Sequence, residues 1–232
     1  VVMFSSMALL PPMLQRLLGW PVIDTGLVLA VRGIGILMSM WVAGRLLGKI
    51  DARWMVGSGL LIAAYSLYQM SQWSLMMGTG PVVVSGLVQG LGMGLIFIPL
   101  NTMAFATIPM QFRTDGSSLL NLFRSMGASV GISVVTTLLG SNTQTSHQDL
   151  VAHVTNSSVS LVDPSTADRF GIIGDVAMQM VNGEINRQAA MVAYIDDFWL
   201  MMWVTLAAVP LVVLLRPPRP GAAQASAADM GH

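Results

Sequence analysis

Two arginines lie inside apolar stretches of this 232-residue chain, Arg32 and Arg124, and they pose the first chemical question. A guanidinium carries a permanent charge and five donors, so within an apolar span it must face protein or a wet cavity, where it can bind or couple. At spacings of three and four, Arg32 shares a helix face with Thr25, Val28, Gly35 and Ser39. Arg124 shares one with Ser117, Asn121, Ala128 and Gly131. Both stripes are small or polar apart from Val28. Gln89 adds a polar group beside Gly86, Gly90 and Gly94, two overlapping G-x-x-x-G units that let helix backbones approach closely. Arg32, Gln89, Asn121 and Arg124 are therefore candidates for a substrate cavity or for coupling. Gly35, Gly86, Gly90, Gly94, Gly127 and Gly131 are candidate helix-packing positions.

Catalytic chemistry finds little support. His147 and His153 flank Asp149, but a third ligand is lacking and the spacing is not a zinc pattern, so no metal site is expected. Gly127-Ala128-Ser129-Val130-Gly131 matches G-x-S-x-G, yet a nucleophile elbow needs a sharp strand-to-helix turn and this motif falls inside an expected span. H-E-x-x-H and P-loop motifs are absent. With no cysteine, disulfides and thiolate chemistry are excluded. The chain reads as something other than an enzyme.

The elements that must position these residues follow from composition. Hydrophobic residues make up 54% and charged residues 9%, with a mean hydropathy of +0.69, whereas soluble domains carry about 25% charged residues. The partner solvent is a lipid bilayer. The fold class is all-α, with six spans at about 1–14, 25–47, 54–70, 81–108, 117–139 and 194–215. The first is read as an incomplete helix, because neither an initiating Met nor a basic flank precedes its apolar run. Pro99 suggests a kink or tilt in the fourth. Between the last two spans an outer loop, 140–193, carries an amphipathic helix at about 175–193, patterned on Met178, Val181, Ile185, Ala189 and Val192. That helix is expected to lie on the membrane surface, with Asn182-Gly183 weakening its middle. The tail 218–232, rich in Ala, Gly and Ser, is expected to be disordered.

Basic residues fix the orientation, because Lys and Arg in short loops accumulate on the cytoplasmic side. Arg45, Lys49 and Arg53 mark one loop, Arg113 another, and Arg216 with Arg219 the tail. Asp24, Asp51, Asp196 and Asp197 fall near expected helix starts, where acids cap free backbone N–H groups. The formal net charge of zero supplies no basis for a nucleic-acid partner, and none is expected.

The basic loop resembles the cytoplasmic loop motif of the major facilitator superfamily: Gly44, Leu46, Lys49 and Arg53 match, while Gly48 replaces the motif's acid and Asp51 its second glycine. Further on come Phe97-Ile98-Pro99-Leu100-Asn101, an N-x-x-R-x-x-G-x-x-x-G pattern at Asn121, Arg124, Gly127 and Gly131, and Ala193-Tyr194-Ile195-Asp196-Asp197-Phe198-Trp199. Together these resemble the carboxy-terminal half of EmrB/QacA-type drug:proton antiporters. The resemblance implies a fourteen-span exporter of the bacterial inner membrane, working by alternating access. This chain would be its second six-helix bundle, with a truncated first helix and a cytoplasmic carboxy terminus. It implies protons as coupling ion, no cofactor, and amphipathic or cationic drugs as substrates. The implied partners are the missing amino-terminal half and, in Gram-negative cells, a periplasmic membrane-fusion adaptor. By the same resemblance Arg124 and Asn121 match polar family positions, and Arg32 with Gly33 and Gly35 matches an R-G-x-G segment. Gly44, Lys49 and Arg53 become gating-loop candidates, tethering neighbouring helix ends. The proton-handling carboxylates are expected mainly in the other half, since no acid here is expected mid-span. Alternatives are an exporter of a dedicated metabolite, such as an amino acid or siderophore, and a non-transporting membrane scaffold.

Overall fold

Apolar runs separated by glycine, proline and basic turns fold as helices. The computed structural model describes residues 2–47, 49–105, 110–158 and 171–214, and among them there is no strand. Among the described residues six α-helices run in order: α1 Val2–Pro12, α2 Val22–Leu46, α3 Ala52–Ser71, α4 Thr79–Phe105, α5 Arg113–Ser158 and α6 Gly171–Leu214. The expected tail at 218–232, with Arg216 and Arg219, lies outside the described residues.

The first helix outruns its expected end. Pro11 and Pro12 each lack an N–H, and the ladder continues past them as a π-helical turn, Met13–Leu17. Gly19 then takes a φ of +69°, a left-handed conformation that stops the helix at little steric cost to glycine. Pro21, at φ −56°, sets the entry to α2. Asp24 lies in the first turn of α2, where its charge suits the helix dipole. Asp51 occupies the N-cap of α3, but its side chain makes no capping hydrogen bond.

In the bundle, α2 packs on α4, α3 on α4 and α6, α5 on α6, and α1 on α5 and α6. A methionine- and leucine-rich core joins Leu9, Leu10, Met13 and Leu14 to Leu67, Met70, Phe198 and Met201. Trp73 closes it, edge-on to Phe198 at 5.8 Å between ring centroids. Among the described residues, four helical stretches are long and apolar enough to cross a membrane: Val22–Leu46, Thr79–Phe105, Arg113–Leu150 and Asn182–Val212. Ala52–Ser71 is not among them. It is lightened by Gly57, Ser58, Gly59, Ser66, Gln69 and Ser71, small and polar residues that suit contact with other helices better than contact with lipid.

The segment expected as an outer loop is helical on both sides of the 159–170 gap in the described residues. Polarity after Leu139 ends the apolar run without ending the helix, since α5 continues to Ser158. Hydroxyls there fold back on the backbone, Thr143 onto the Leu139 carbonyl at 2.6 Å and Thr145 onto that of Ser141 at 3.1 Å. The amphipathic segment is the first half of one helix with the last span, passing unbroken through Asn182-Gly183. Glycine costs about 1 kcal/mol inside a helix, and exposed contacts just beyond it offset only a few tenths of that: Glu184 accepts from Gln188 at 3.1 Å and pairs with Arg187 at 3.6 Å. Its buried positions also differ from the expected stripe. Ala189 is buried, but Val192 is exposed while Met191 and Ala193 are buried.

Candidate functional site

Helix α4 is the hub, because its glycines admit a neighbour on each of two sides. A Cβ on Gly35 would lie 2.5 Å from the Leu87 carbonyl oxygen and 3.2 Å from the Gly90 Cα, so α2 and α4 cross backbone to backbone. Gly90 and Gly94 both abut α2, the latter against Ser39, whose hydroxyl reaches the Gly90 carbonyl at 3.3 Å. Gly86 lies farther off, at ordinary contact with the Arg32 Cβ. A second seam escaped the sequence reading. Gly92 meets Gly59 and Ala63 of α3, with 2.7 Å between a Gly92 Cβ and the Gly59 carbonyl oxygen. Ser66 reinforces that side by donating to the Ser85 carbonyl at 2.8 Å. In membranes such interhelical hydrogen bonds contribute about 0.6 kcal/mol each. Close packing, rather than the bonds, holds the seams.

The buried side of α2 is Thr25, Val28, Arg32, Gly35, Ser39 and Ala43. The close α2–α4 crossing brings Arg32, 4% exposed, against Gln89 and Met93 of α4. The Arg32 Nη2 donates to the Ser6 hydroxyl of α1 at 3.2 Å and lies 3.6 Å from the Met93 sulfur. Gln89, 1% exposed, donates through Nε2 to the same Ser6 oxygen at 3.2 Å. Ser6 in turn donates its hydroxyl hydrogen bond to the Met3 carbonyl at 2.9 Å. Arg32 Nε and Gln89 Oε1 are buried without a hydrogen-bond partner. Among the described residues no carboxylate lies within ion-pairing distance of Arg32. A buried cation with only a hydroxyl and a thioether as acceptors is poorly compensated, a state costing about 2.5–3.5 kcal/mol on insertion scales if it faced lipid. Arg32 and Gln89 thus form one site, and Ser6 is its unforeseen third member. The available signal was the Ser5-Ser6 pair inside an otherwise apolar helix.

Asn121 and Arg124 are placed elsewhere. On α5, Arg124 is half-buried, and its Nη2 donates to the Asn101 side-chain oxygen at 3.2 Å while the guanidinium lies 5.2 Å from the Phe97 ring centroid. Asn121 is exposed one turn away, among exposed Leu122, Phe123 and Met126. Gly131 is buried and Gly127 half-buried, both within the unbroken α5 that also holds Ser129. At the basic loop, Gly44 and Lys49 are exposed and Arg53 is half-buried in the first turn of α3. Arg45 stacks on Trp41, 3.6 Å from the ring centroid.

The acids need a correction. Asp197 does not cap a helix start, because α6 begins far upstream at Gly171, and the carboxylate sits mid-helix at 1% exposure with Oδ2 lacking a partner. Asp196 beside it is exposed. The phase of the helix was the missed signal. Ala189, Ala193, Tyr194, Asp197 and Met201 share the buried side, so this acid lies inside the bundle rather than at a helix end. Farther along, His147 of α5 meets Asn182 of α6 at 3.1 Å, beside a polar cavity of about 240 Å³ lined by Thr143, Gln144, His147, Gln148 and Asn186.

A family model described as Major Facilitator Superfamily matches residues 1–146, more than half of the chain. The fatty acid resistance protein FarB of Neisseria gonorrhoeae is 27% identical over 219 residues, covering 94% of this chain and 43% of that protein. The probable multidrug resistance protein EmrY of Escherichia coli is 27% identical over 225 residues, covering 92% and 42%. The multidrug export protein EmrB of the same bacterium is 25% identical over 222 residues, covering 93% and 42%. The chain spans less than half the length of these relatives.

Proposed function

The chain belongs to the major facilitator superfamily, and from that membership we propose that it forms the carboxy-terminal half of a proton-coupled exporter of amphipathic or cationic drugs. Its relatives point to a transporter rather than an enzyme. The carrying observation is the alignment of more than nine-tenths of the chain with proteins named for multidrug export or resistance. The relative named for fatty acid resistance extends the amphipathic class to acids.

In this reading the bundle works by alternating access in the bacterial inner membrane, with the basic α2–α3 loop and the carboxy terminus cytoplasmic. The site at Arg32 and Gln89 lies in the middle of α2 and α4, in keeping with substrate sites near the bilayer midplane. Protons are the coupling ion and no cofactor takes part. Asp197 is the proton-carrying candidate of this half, because it alone among the carboxylates of the described residues is buried in the bundle. The partners are the remaining part of the transporter and, in a Gram-negative cell, a periplasmic membrane-fusion adaptor, for which the extended outer ends of α5 and α6 supply a contact surface.

The test is the full-length transporter containing this chain, reconstituted in liposomes with a pH-sensitive dye inside. Adding an amphipathic cation or acid is expected to drive proton movement that stops when the gradient is collapsed. Proton movement indifferent to every amphiphile tried would overturn the reading.

A further inference from the structure

We propose that the Arg45 end of α2 holds the headgroup of an anionic phospholipid, with Arg45 and Lys49 as the cations and Trp41 as the platform that fixes the first of them. This site is separate from the Arg32 cluster and does not depend on what is exported.

The side of α2 turned away from Arg32 has the composition of a surface that meets acyl chains. Ile23, Leu27, Ile34, Met38 and Trp41 recur there at helical spacing, each between 54% and 83% exposed. Ala30 is the one small residue in the row. The buried side of the same helix is built instead of Thr25, Gly35, Ser39 and Ala43 beside Arg32, the small residues through which helices approach one another in a membrane. Large apolar side chains in an unbroken row fit lipid better than a neighbouring helix.

The row ends on a charge. Arg45 follows Trp41 on the same side, in the last turn of α2, about 30 Å along the helix from Asp24 at about 1.5 Å per residue, the thickness of a hydrocarbon core. It stands at headgroup depth, with Trp41 one turn deeper, where interfacial tryptophans collect. Because the guanidinium carbon lies 3.6 Å from the Trp41 ring centroid, the planar group has to lie flat on the indole. Stacking occupies one face and leaves the in-plane N–H donors turned outward. Among the described residues no carboxylate pairs with Arg45 or Lys49, and Asp51 is the single acid between Asp24 and Asp115, set against Arg45, Lys49 and Arg53. Beside Arg45, a Cβ on Gly44 would meet nothing within 4 Å, so there is room for a headgroup. Uncompensated cations seated at the end of a lipid-facing row are complementary to a phosphodiester carried on acyl chains. A free phosphate would leave the row uncovered, and a zwitterionic lipid brings no net charge to offset the excess.

The experiment is native mass spectrometry of the purified full-length protein containing this chain, titrated with phosphatidylglycerol or phosphatidylethanolamine of identical acyl chains. Phosphatidylglycerol is expected to be retained preferentially. Arg45→Gln should weaken its binding by about fivefold, the effect of one cation at a membrane surface. Trp41→Leu keeps every charge and an apolar side chain, yet should weaken binding by about two- to fivefold, because the guanidinium loses its platform. Arg113→Gln removes an exposed cation at the start of α5 and should leave binding unchanged. Arg45 and Trp41 are both exposed, so the two variants are expected to fold and to keep the wild-type thermal midpoint. Equal retention of the two lipids overturns the proposal. So does a loss in Arg113→Gln that matches the one in Arg45→Gln, which would mark diffuse attraction to a positive surface, and so does unchanged binding in Trp41→Leu. Retention of neither lipid would show the row to be covered by the rest of the protein, and overturns it as well.

Discussion

Arg124 of α5 donates to the side-chain oxygen of Asn101 of α4 across 3.2 Å, linking two helices that otherwise touch little. A hydrogen bond to a charged group contributes about 1.5–3 kcal/mol. If that link positions the helices during transport, Arg124→Ala and Asn101→Ala should each slow drug efflux by roughly tenfold or more, with membrane insertion intact. The double variant should be little worse than either single one. Normal efflux by Arg124→Ala would show the pair to be incidental.

The α2–α4 crossing makes a sharper prediction. Gly90→Val has no room, since even a Cβ at that position would collide with the Arg32 carbonyl and crowd Ile36. The substitution is expected to lower the thermal midpoint and the yield of folded protein. Gly33→Ala, one position beyond Arg32, meets nothing within 4 Å and should be neutral or raise stability by up to about 1 kcal/mol. Equal tolerance at both positions, read by thermal denaturation in detergent, would contradict the crossing.

Asp197 and Asp196 are adjacent acids with opposite surroundings, one buried and one exposed. Asp197→Asn keeps the side chain's shape and removes its capacity to take up a proton. Proton movement coupled to drug should fall to background in that variant while drug binding persists. Asp196→Asn should retain coupling. Coupled proton movement at wild-type rates in Asp197→Asn would remove the residue from the proton path.

The unbroken course of α6 is open to a stability measurement. Gly183 is helical, with nothing within 4 Å of an added Cβ. Gly183→Ala should therefore stabilise α6 by about 0.5–1 kcal/mol and slow amide hydrogen exchange on both sides of the position. No change in exchange would argue that the helix is interrupted there.

The buried face of α2 was legible in the sequence because spacing alone separates Thr25, Val28, Arg32, Gly35 and Ser39 from the lipid-facing residues. On α5 the same spacing picks out the less exposed side, with Ser117, Arg124 and Ala128 half-buried and Gly131 buried, but Asn121 is exposed, since a polar residue on a helix face says that it avoids lipid and not which neighbour covers it. Ser6 and Gly92 stayed hidden because a single small residue in an apolar run gains its meaning only from what another helix brings to it. Asp197 was misassigned by boundary error: hydropathy locates where a chain enters the membrane, and it was read as where the helix begins. The extension of α5 was lost for the same reason, whereas that of α6 was legible as the amphipathic pattern at about 175–193.

Those extensions have a mechanical consequence. Helices of 46 and 44 residues are each close to 70 Å long at about 1.5 Å per residue, more than twice the thickness of a hydrocarbon core. Beyond Leu139 and before Tyr194 they run on as a paired stalk, joined at His147 and Asn182. Such a stalk acts as a lever. With an arm of about 30 Å, a tilt of about 10° carries its tip sideways by about 5 Å, so a rearrangement among the helices of the bundle can be read, or resisted, by whatever grips the stalk.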